Sequence, residues 1–433
     1  TVSNGTNLDG SRTWSKARLE YIYDERKGNL FRAEDLAVES GSVILNGITI
    51  GYRGGERGVT VGVDSFSNHY VSYVENDYLN PKQYKGKALI GESLTTTEAT
   101  NIDGSKSWTV NRLGYTYSSG TTRLEMVRNL DIDSGEVTVN GVKVAYEKAL
   151  GTVTVGVDYY GNYYISVVDN QYLDPEEWGG KVKPGVVTTT TDVFNIDGSW
   201  SQTKTSVEYQ YHPVTFVLEK VTVPSTKLKV ALPGSSRLQS ASYEGEGSVT
   251  IGADIFGNTY YTQTTNIYGQ IINGQAKITN TSTTTENHNI DGSLSQTVSS
   301  IDYGYDGKTG LLQWSRLSSG KVSARIILKD GTICEHSASG KVVTVGADIF
   351  GNKYWSESLN EYRVIKGEVR VDKVTTVTSS INTDGSTSKT IKGHEEVLEY
   401  NYDDNSTRLS RITNIQDSIV LNNDGFGNKT ITT

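Results

Sequence analysis

Apolar and polar residues alternate through most hydrophobic stretches of this chain, the period of two that turns one face of a β-strand inward and the other toward water. The alternation is copied. Leu19, Tyr21 and Tyr23 return as Leu113, Tyr115 and Tyr117, as Val207, Tyr209 and Tyr211, as Ile301, Tyr303 and Tyr305, and as Leu398, Tyr400 and Tyr402. A second pattern, Val-Thr-Val-Gly-x-Asp-x-Phe-Gly-Asn-x-Tyr, stands at Val59 to Tyr70, Val153 to Tyr164, Val249 to Tyr260 and Val343 to Tyr354. Ser67, Tyr160 and Ile251 depart from it, and it shortens to Asp424, Phe426, Gly427 and Asn428. Threonine-rich strands follow, at Thr95 to Thr97, Thr188 to Thr191, Thr283 to Thr285 and Thr375 to Thr378. Each leads into the phrase Asn-x-Asp-Gly-Ser, whose asparagines are Asn7, Asn101, Asn195, Asn289 and Asn382, spaced by 94, 94, 94 and 93 residues.

A period this regular is the signature of one supersecondary unit copied and stacked. The expected fold is all-β: tandem antiparallel repeats forming a continuous sheet, tube or solenoid-like rod, the alternative being a string of β-sandwich domains. The repeats fall at 7–100, 101–194, 195–288, 289–381 and, in part, 382–433, with 1–6 as the closing strand of a preceding unit. Asn46-Gly47 and Asn140-Gly141 lie between alternating apolar runs, the sequence of a two-residue hairpin turn that needs positive φ at both positions. Asp330-Gly331 takes that place in the fourth copy and Pro233-Gly234 in the third. Asp9 to Asp64 and Asp103 to Asp158 span 55 residues, Asp197 to Asp254 and Asp291 to Asp348 span 57, but Asp384 to Asp424 only 40. The missing length matches the hairpin, which therefore reads as an optional insertion.

Composition narrows the function. With 41 basic and 50 acidic residues in 433 the net charge is −9 without a long basic run, so nucleic acid is not an expected partner. No apolar run is long enough for a membrane-spanning helix. One cysteine, Cys334, excludes an internal disulfide and a cysteine metal cluster, and reads as a small buried hydrophobe. The sequons at Asn4, Asn280, Asn405 and Asn428 would matter only in a glycosylating host.

The phrases Tyr21-Ile22-Tyr23-Asp24 with Gly28, Tyr303-Gly304-Tyr305-Asp306 with Gly310, and Tyr400-Asn401-Tyr402-Asp403 with Leu409 resemble YD repeats of the Rhs family. Degenerate repeats of this kind occur in very large repetitive bacterial surface proteins. Ser118 and His212 stand where the second and third copies would carry the aspartate. The resemblance implies a spiralling antiparallel sheet, in Rhs proteins often a shell around a toxin.

Five copies of an acid do not make a catalytic site, which needs one constellation, and the five histidines occupy non-equivalent repeat positions without a metalloprotease or triad signature. The expectation is no enzyme and no required cofactor. Asp9, Asp103, Asp197, Asp291 and Asp384 are the candidates for calcium, since their turns gather oxygen ligands. Tyr21, Tyr115, Tyr209, Tyr303 and Tyr400 are expected to form an interior aromatic ladder; exposed instead, they would suit sugar stacking. The reading is an extracellular or cell-surface structural fibre or scaffold assembling through strand edges. The competing class is a carbohydrate-binding or adhesin array whose partner is surface polysaccharide, and a third is a toxin-encapsulating shell. The ends are out of phase with the repeat. The chain is expected to be a segment of a longer fibre, or a subunit whose Thr1, Val2 and Ser3 add a strand beside Thr430, Ile431, Thr432 and Thr433 of a neighbour.

Overall fold

A computed structural model of the chain describes residues 1–231, 240–403 and 406–433. Pro233, Gly234, Asp404 and Asn405 lie outside these residues. The protein is all-β: of thirty-nine described strands, twenty-five belong to long antiparallel ladders and the rest form seven two-stranded ribbons. The one helical segment among the described residues is the 3-10 turn Pro81–Gln83.

The chain divides into two compact units, Thr1–Ile196 with Ser206–Val221, and Asp197–Thr205 with Thr222–Thr433. The division falls inside the third repeat rather than at a repeat boundary. In the first unit the ladder runs Val2–Thr6, Arg12–Lys16, Gly58–Val63, His69–Tyr78, Ile90–Thr100, Lys106–Tyr117, Thr152–Val157, Tyr163–Tyr172 and Pro184–Phe194. The second unit repeats the order, from Ser248–Ala253 through Thr259–Ile272, Gln275–His288, Leu294–Tyr305, Val342–Ala347, Lys353–Ile365 and Glu368–Ile381 to Thr387–Thr390, Val420–Asn423 and Lys429–Thr432. Each repeat thus contributes four kinds of strand: opening, valine, return and closing. Within each unit the pairing passes from one repeat to the next without a linker, and neither ladder closes into a barrel.

The core lies against the valine strands. Val59, Val61, Val153, Val155, Val249, Ile251, Val343 and Val345 are almost wholly buried. What covers them is the hairpin. Val38, Leu45 and Ile50 pack on Val59, Val61 and Val63, and Val139 and Val144 on Val155 and Val157. Leu228, Val230 and Ala241 cover Val249 and Ile251, and Ala324, Ile326 and Cys334 cover Val343 and Val345. The hairpin is therefore the second layer of a two-layer core, which corrects its reading as an optional insertion. In the fifth repeat, which lacks it, Val420–Asn423 has no fully buried residue and Leu421 is exposed.

The aromatic ladder is also corrected. Tyr21 is 49% exposed and Tyr115, Tyr209, Tyr303 and Tyr400 are only half-buried. The hairpin layer covers the valine strands and leaves these tyrosines at a partly wetted surface.

Candidate functional site: the turns that join the repeats

The Asn-x-Asp-Gly-Ser turns are closed by their own side chains. In the first, Asn7 N donates to Ser11 O and Gly10 N to Asn7 O, Asn7 Nδ2 reaches Ser11 Oγ at 2.8 Å, and Ser11 N donates to Asp9 Oδ1. Gly10, at φ +86°, supplies the left-handed residue. Asp103, Asp197, Asp291 and Asp384 accept from Ser105, Ser199, Ser293 and Ser386 in the same way. The hydroxyl of Ser199 and then its amide hold the Asp197 carboxyl below its ordinary range.

The Asp-x-Phe-Gly-Asn turns use the same logic with a longer grip. Asp254 Oδ1 accepts from Phe256 N and Asn258 N, and its Oδ2 takes Asn258 Nδ2 at 2.7 Å. Asp64, Asp158, Asp348 and Asp424 repeat this set. The asparagine then reaches out. Its Oδ1 accepts the backbone N–H of the next repeat's first turn: Ile102 to Asn68 at 2.8 Å, and Ile196 to Asn162, Ile290 to Asn258 and Thr383 to Asn352 at 2.9 Å. The hairpin tips add a third contact in the first unit, where Asn46 Nδ2 donates to Gly10 O, and Asn140 Nδ2 to Gly104 O and Asp158 O. One edge of each repeat is thus a cluster of turns bonded to one another.

The Tyr-x-Tyr turns form a second joint. Asp24 N donates to Asn29 O and Gly28 N to Asp24 O, while Asp24 Oδ1 accepts from Arg26 N and Lys27 N. Ser118 and His212 keep the backbone pattern. His212 Nδ1 accepts from Val214 N and Thr215 N at 3.2 and 3.1 Å, so it does the work of the aspartate it replaces. Loops between return and closing strands dock here. Tyr84 meets Tyr117 edge-on at 6.3 Å while Lys87 Nζ donates to Thr122 Oγ1, and Trp178 meets Tyr211 and Phe216. In the second unit Tyr305 Oη donates to Ile278 O beneath Lys277, and Tyr402 Oη to Val371 O beneath Arg363. In the second to fifth repeats these contacts fall on the second tyrosine of the pair, Tyr117, Tyr211, Tyr305 and Tyr402, rather than on Tyr115, Tyr209, Tyr303 and Tyr400, while Tyr23 of the first repeat is exposed. Burial, with Tyr209 beside it, pushes the Tyr211 phenol up to about 12.

Other charged groups are spent on one another. A cleft of about 1080 Å³ in the first unit is lined by Arg57, Glu75, Glu92 and Arg112, but Arg57 pairs with Glu75 at 3.2 Å and Arg112 with Glu92 at 2.6 Å. His336 Nε2 lies 2.8 Å from Glu357 Oε1, and Lys341 shares that carboxylate. Cys334 is buried in the core, its thiol raised by that burial. Among the described residues no three His, Cys, Asp or Glu side chains gather as a metal would need, and no helix is long and apolar enough to cross a membrane. Thr1 and Val2 lie at one sheet edge, where Thr1 N donates to Ala17 O, and Thr430, Ile431 and Thr432 lie at another. No model of a known protein family matches the chain. A search of curated proteins likewise finds no match.

Proposed function

We propose that the chain is a non-enzymatic structural repeat protein of an extracellular or cell-surface scaffold, built to assemble through strand edges. One observation carries this reading. The residues that recur most regularly, the turn aspartates and asparagines, spend their polar atoms on capping their own turns and, in the asparagines, on bonding the next repeat. A recurring ligand site would instead aim such groups outward together. The Tyr-Asp turns support the same reading: capped hairpins that seat the neighbouring loop, as scaffold units of YD type would. The test is immunogold labelling of cells that produce the chain: label on surface material supports the proposal, and label confined to the cell interior refutes it.

A second reading, surface-polysaccharide binding, is favoured by exposed aromatics: Tyr21 and Tyr23 in the first repeat and the Tyr159–Tyr160 pair in the second. Rings left in water at a turn can stack on sugar faces. Retention of the chain on insoluble polysaccharide, lost in Tyr159→Ala/Tyr160→Ala, would support it. Retention unchanged by the double variant would count against these rings.

A further inference from the structure

Along one edge of the second unit the turns lie in contact with one another. The second residue of each rests on the glycine of the turn before it. A Cβ built on Gly198 would stand 3.0 Å from Ile255, one on Gly257 3.5 Å from Ile290, one on Gly292 3.3 Å from Ile349 and one on Gly351 3.4 Å from Thr383. The ladder order sets the turns of Phe256 and Phe350 four strands apart, roughly 19 Å at the usual strand spacing, with the Ile290 turn midway.

This edge is apolar where a turn has no need to be. Ile255, Ile290 and Ile349 are more than half exposed, and Phe256 and Phe350 are 70% and 74% exposed. The caps are made by Asp254, Asn258, Asp348 and Asn352, which use the backbone of Phe256 and Phe350 but not their rings. Serine or asparagine would turn the chain there as well. A lone exposed ring is ordinary, but five large apolar side chains in a row leave roughly 500 Å² of hydrocarbon in water, the size at which such patches mark a binding surface.

Charge frames the row. Asp197, Asp254, Asp291 and Asp348 stand beside it, one to a turn, and Asp254 lies close enough to Asp197, and Asp348 to Asp291, for their charges to act on each other. The cations of the flanking strands, Lys353 and His288, lie by two further acids, Asp330 and Glu286. The edge therefore offers hydrocarbon under a negative field. A second copy would set the same carboxylates against these, an anionic lipid surface would be repelled in the same way, and phenylalanine has no hydroxyl to bond a sugar.

We infer that this row docks a cationic amphipathic segment of another polypeptide, one that carries apolar side chains flanked by lysine or arginine. Its apolar side chains cover Ile255, Phe256, Ile290, Ile349 and Phe350, and its cationic groups lie against the four aspartates. Extended at about 3.3 Å per residue, roughly six residues reach from Phe256 to Phe350. The inference goes beyond the scaffold reading and uses a surface which that reading leaves idle.

The probe is a fluorescent decapeptide of alternating leucine and lysine, titrated with the 433-residue chain and followed by anisotropy. Saturable binding is expected, with none to the matching leucine–glutamate peptide. Phe256→Ser/Phe350→Ser should weaken it by about tenfold or more, since two rings lose their burial. Asp197→Asn/Asp291→Asn keeps a side-chain oxygen for the amides of Ser199 and Ser293 and removes two charges. It should weaken binding severalfold at low salt, and the difference should vanish at about 1 M salt, where the Debye length falls to roughly 3 Å. Absence of binding, equal binding of the two peptides, or unchanged affinity in the phenylalanine variant overturns the inference. An equal loss in Tyr159→Ala/Tyr160→Ala, which alters the other unit, does so too. So does row-dependent binding to phosphatidylcholine vesicles in place of the peptide, or row-dependent self-association in sedimentation. If the phenylalanine variant loses its fold, the aspartate variant decides: affinity indifferent to it and to salt overturns the inference. A peptide that fails to bind would leave the surface-labelling test standing, and interior labelling would leave a measured docking row standing, so the two readings fail separately.

Discussion

The ring of Tyr354 lies over Gly346, its partner across the strand pair: a Cβ placed on Gly346 would stand 2.2 Å from Tyr354 Cζ. The pairs Gly62–Tyr70, Gly156–Tyr164 and Gly252–Tyr260 repeat it. The second motif keeps glycine and tyrosine eight residues apart because the ring takes the place of the missing side chain and shields the bare backbone. Gly346→Ala alone should destabilise the protein, since the ring must swing into water. In a Tyr354→Ala background it should be neutral or favourable, because alanine loses less backbone entropy than glycine. Urea unfolding of the four proteins should give a coupling of roughly 0.2 to 1 kcal/mol, the range of cross-strand pairs. Additive effects would show that ring and glycine do not depend on each other.

The two faces of the first hairpin should answer differently to truncation. Ile50 is buried against the valine strand, while Ile44 on the same ribbon is 68% exposed. Ile50→Ala should cost on the order of 2 to 5 kcal/mol and Ile44→Ala no more than about 0.5. Excision of residues 43–50 should abolish cooperative unfolding of this repeat, since it strips the cover from Val59 and Val61. Equal, small losses at both positions would mean that the ribbon does not form the second layer.

His212 should be replaceable by the residue it stands for. Its Nδ1 accepts two turn amides, as Asp306 Oδ1 does from Lys308 N and Thr309 N. His212→Asp should keep stability within about 0.5 kcal/mol, and His212→Leu should lose on the order of 1 kcal/mol, the net worth of a hydrogen bond. Thermal unfolding in which the leucine variant matches wild type would remove the capping role.

Strands, turns and period were legible because each rests on local chemistry: alternation marks the strands, and Asn, Asp and Gly mark the turns at fixed intervals. Three things were not legible. The first is which strand is most buried, because Val59 and Tyr21 both alternate well and only the folding back of the Leu45–Ile50 ribbon decides between them. The second is the hairpin's importance, since a missing segment in the fifth repeat reads as dispensability until Leu421 is seen exposed where no ribbon covers it. The third is the asparagine bridge: Asn68 is a good turn residue on local grounds, and nothing in its neighbours reveals that its second polar atom serves Ile102, 34 residues on. That signal was present only as the constancy of Asn in Phe-Gly-Asn, where glycine or serine would also turn the chain.

Stability should fall at both ends of the pH scale, for opposite reasons. Side-chain bonds from Asn258 and Asn428 hold the Asp254 and Asp424 carboxyls below their ordinary range, as Ser199 does for Asp197. A depressed folded value means that the ionised form is favoured in the fold. That contribution is complete above the ordinary value of 3.8 and is lost as pH falls below it. Tyr78 and Tyr211 behave in the reverse sense, burial pushing both phenols up to about 12 from 10. The neutral phenol is favoured in the fold, so this contribution is complete below pH 10 and is lost between 10 and about 12. The melting midpoint should therefore be flat across the neutral range and drop below pH 4 and above pH 10. On the alkaline side, tyrosinate absorbance should rise in two steps, exposed phenols first and the buried ones with unfolding. Replacing Tyr211 with phenylalanine should shrink the late step while leaving the early one. A single tyrosinate step near pH 10 in the folded protein would show that burial does not hold these phenols neutral.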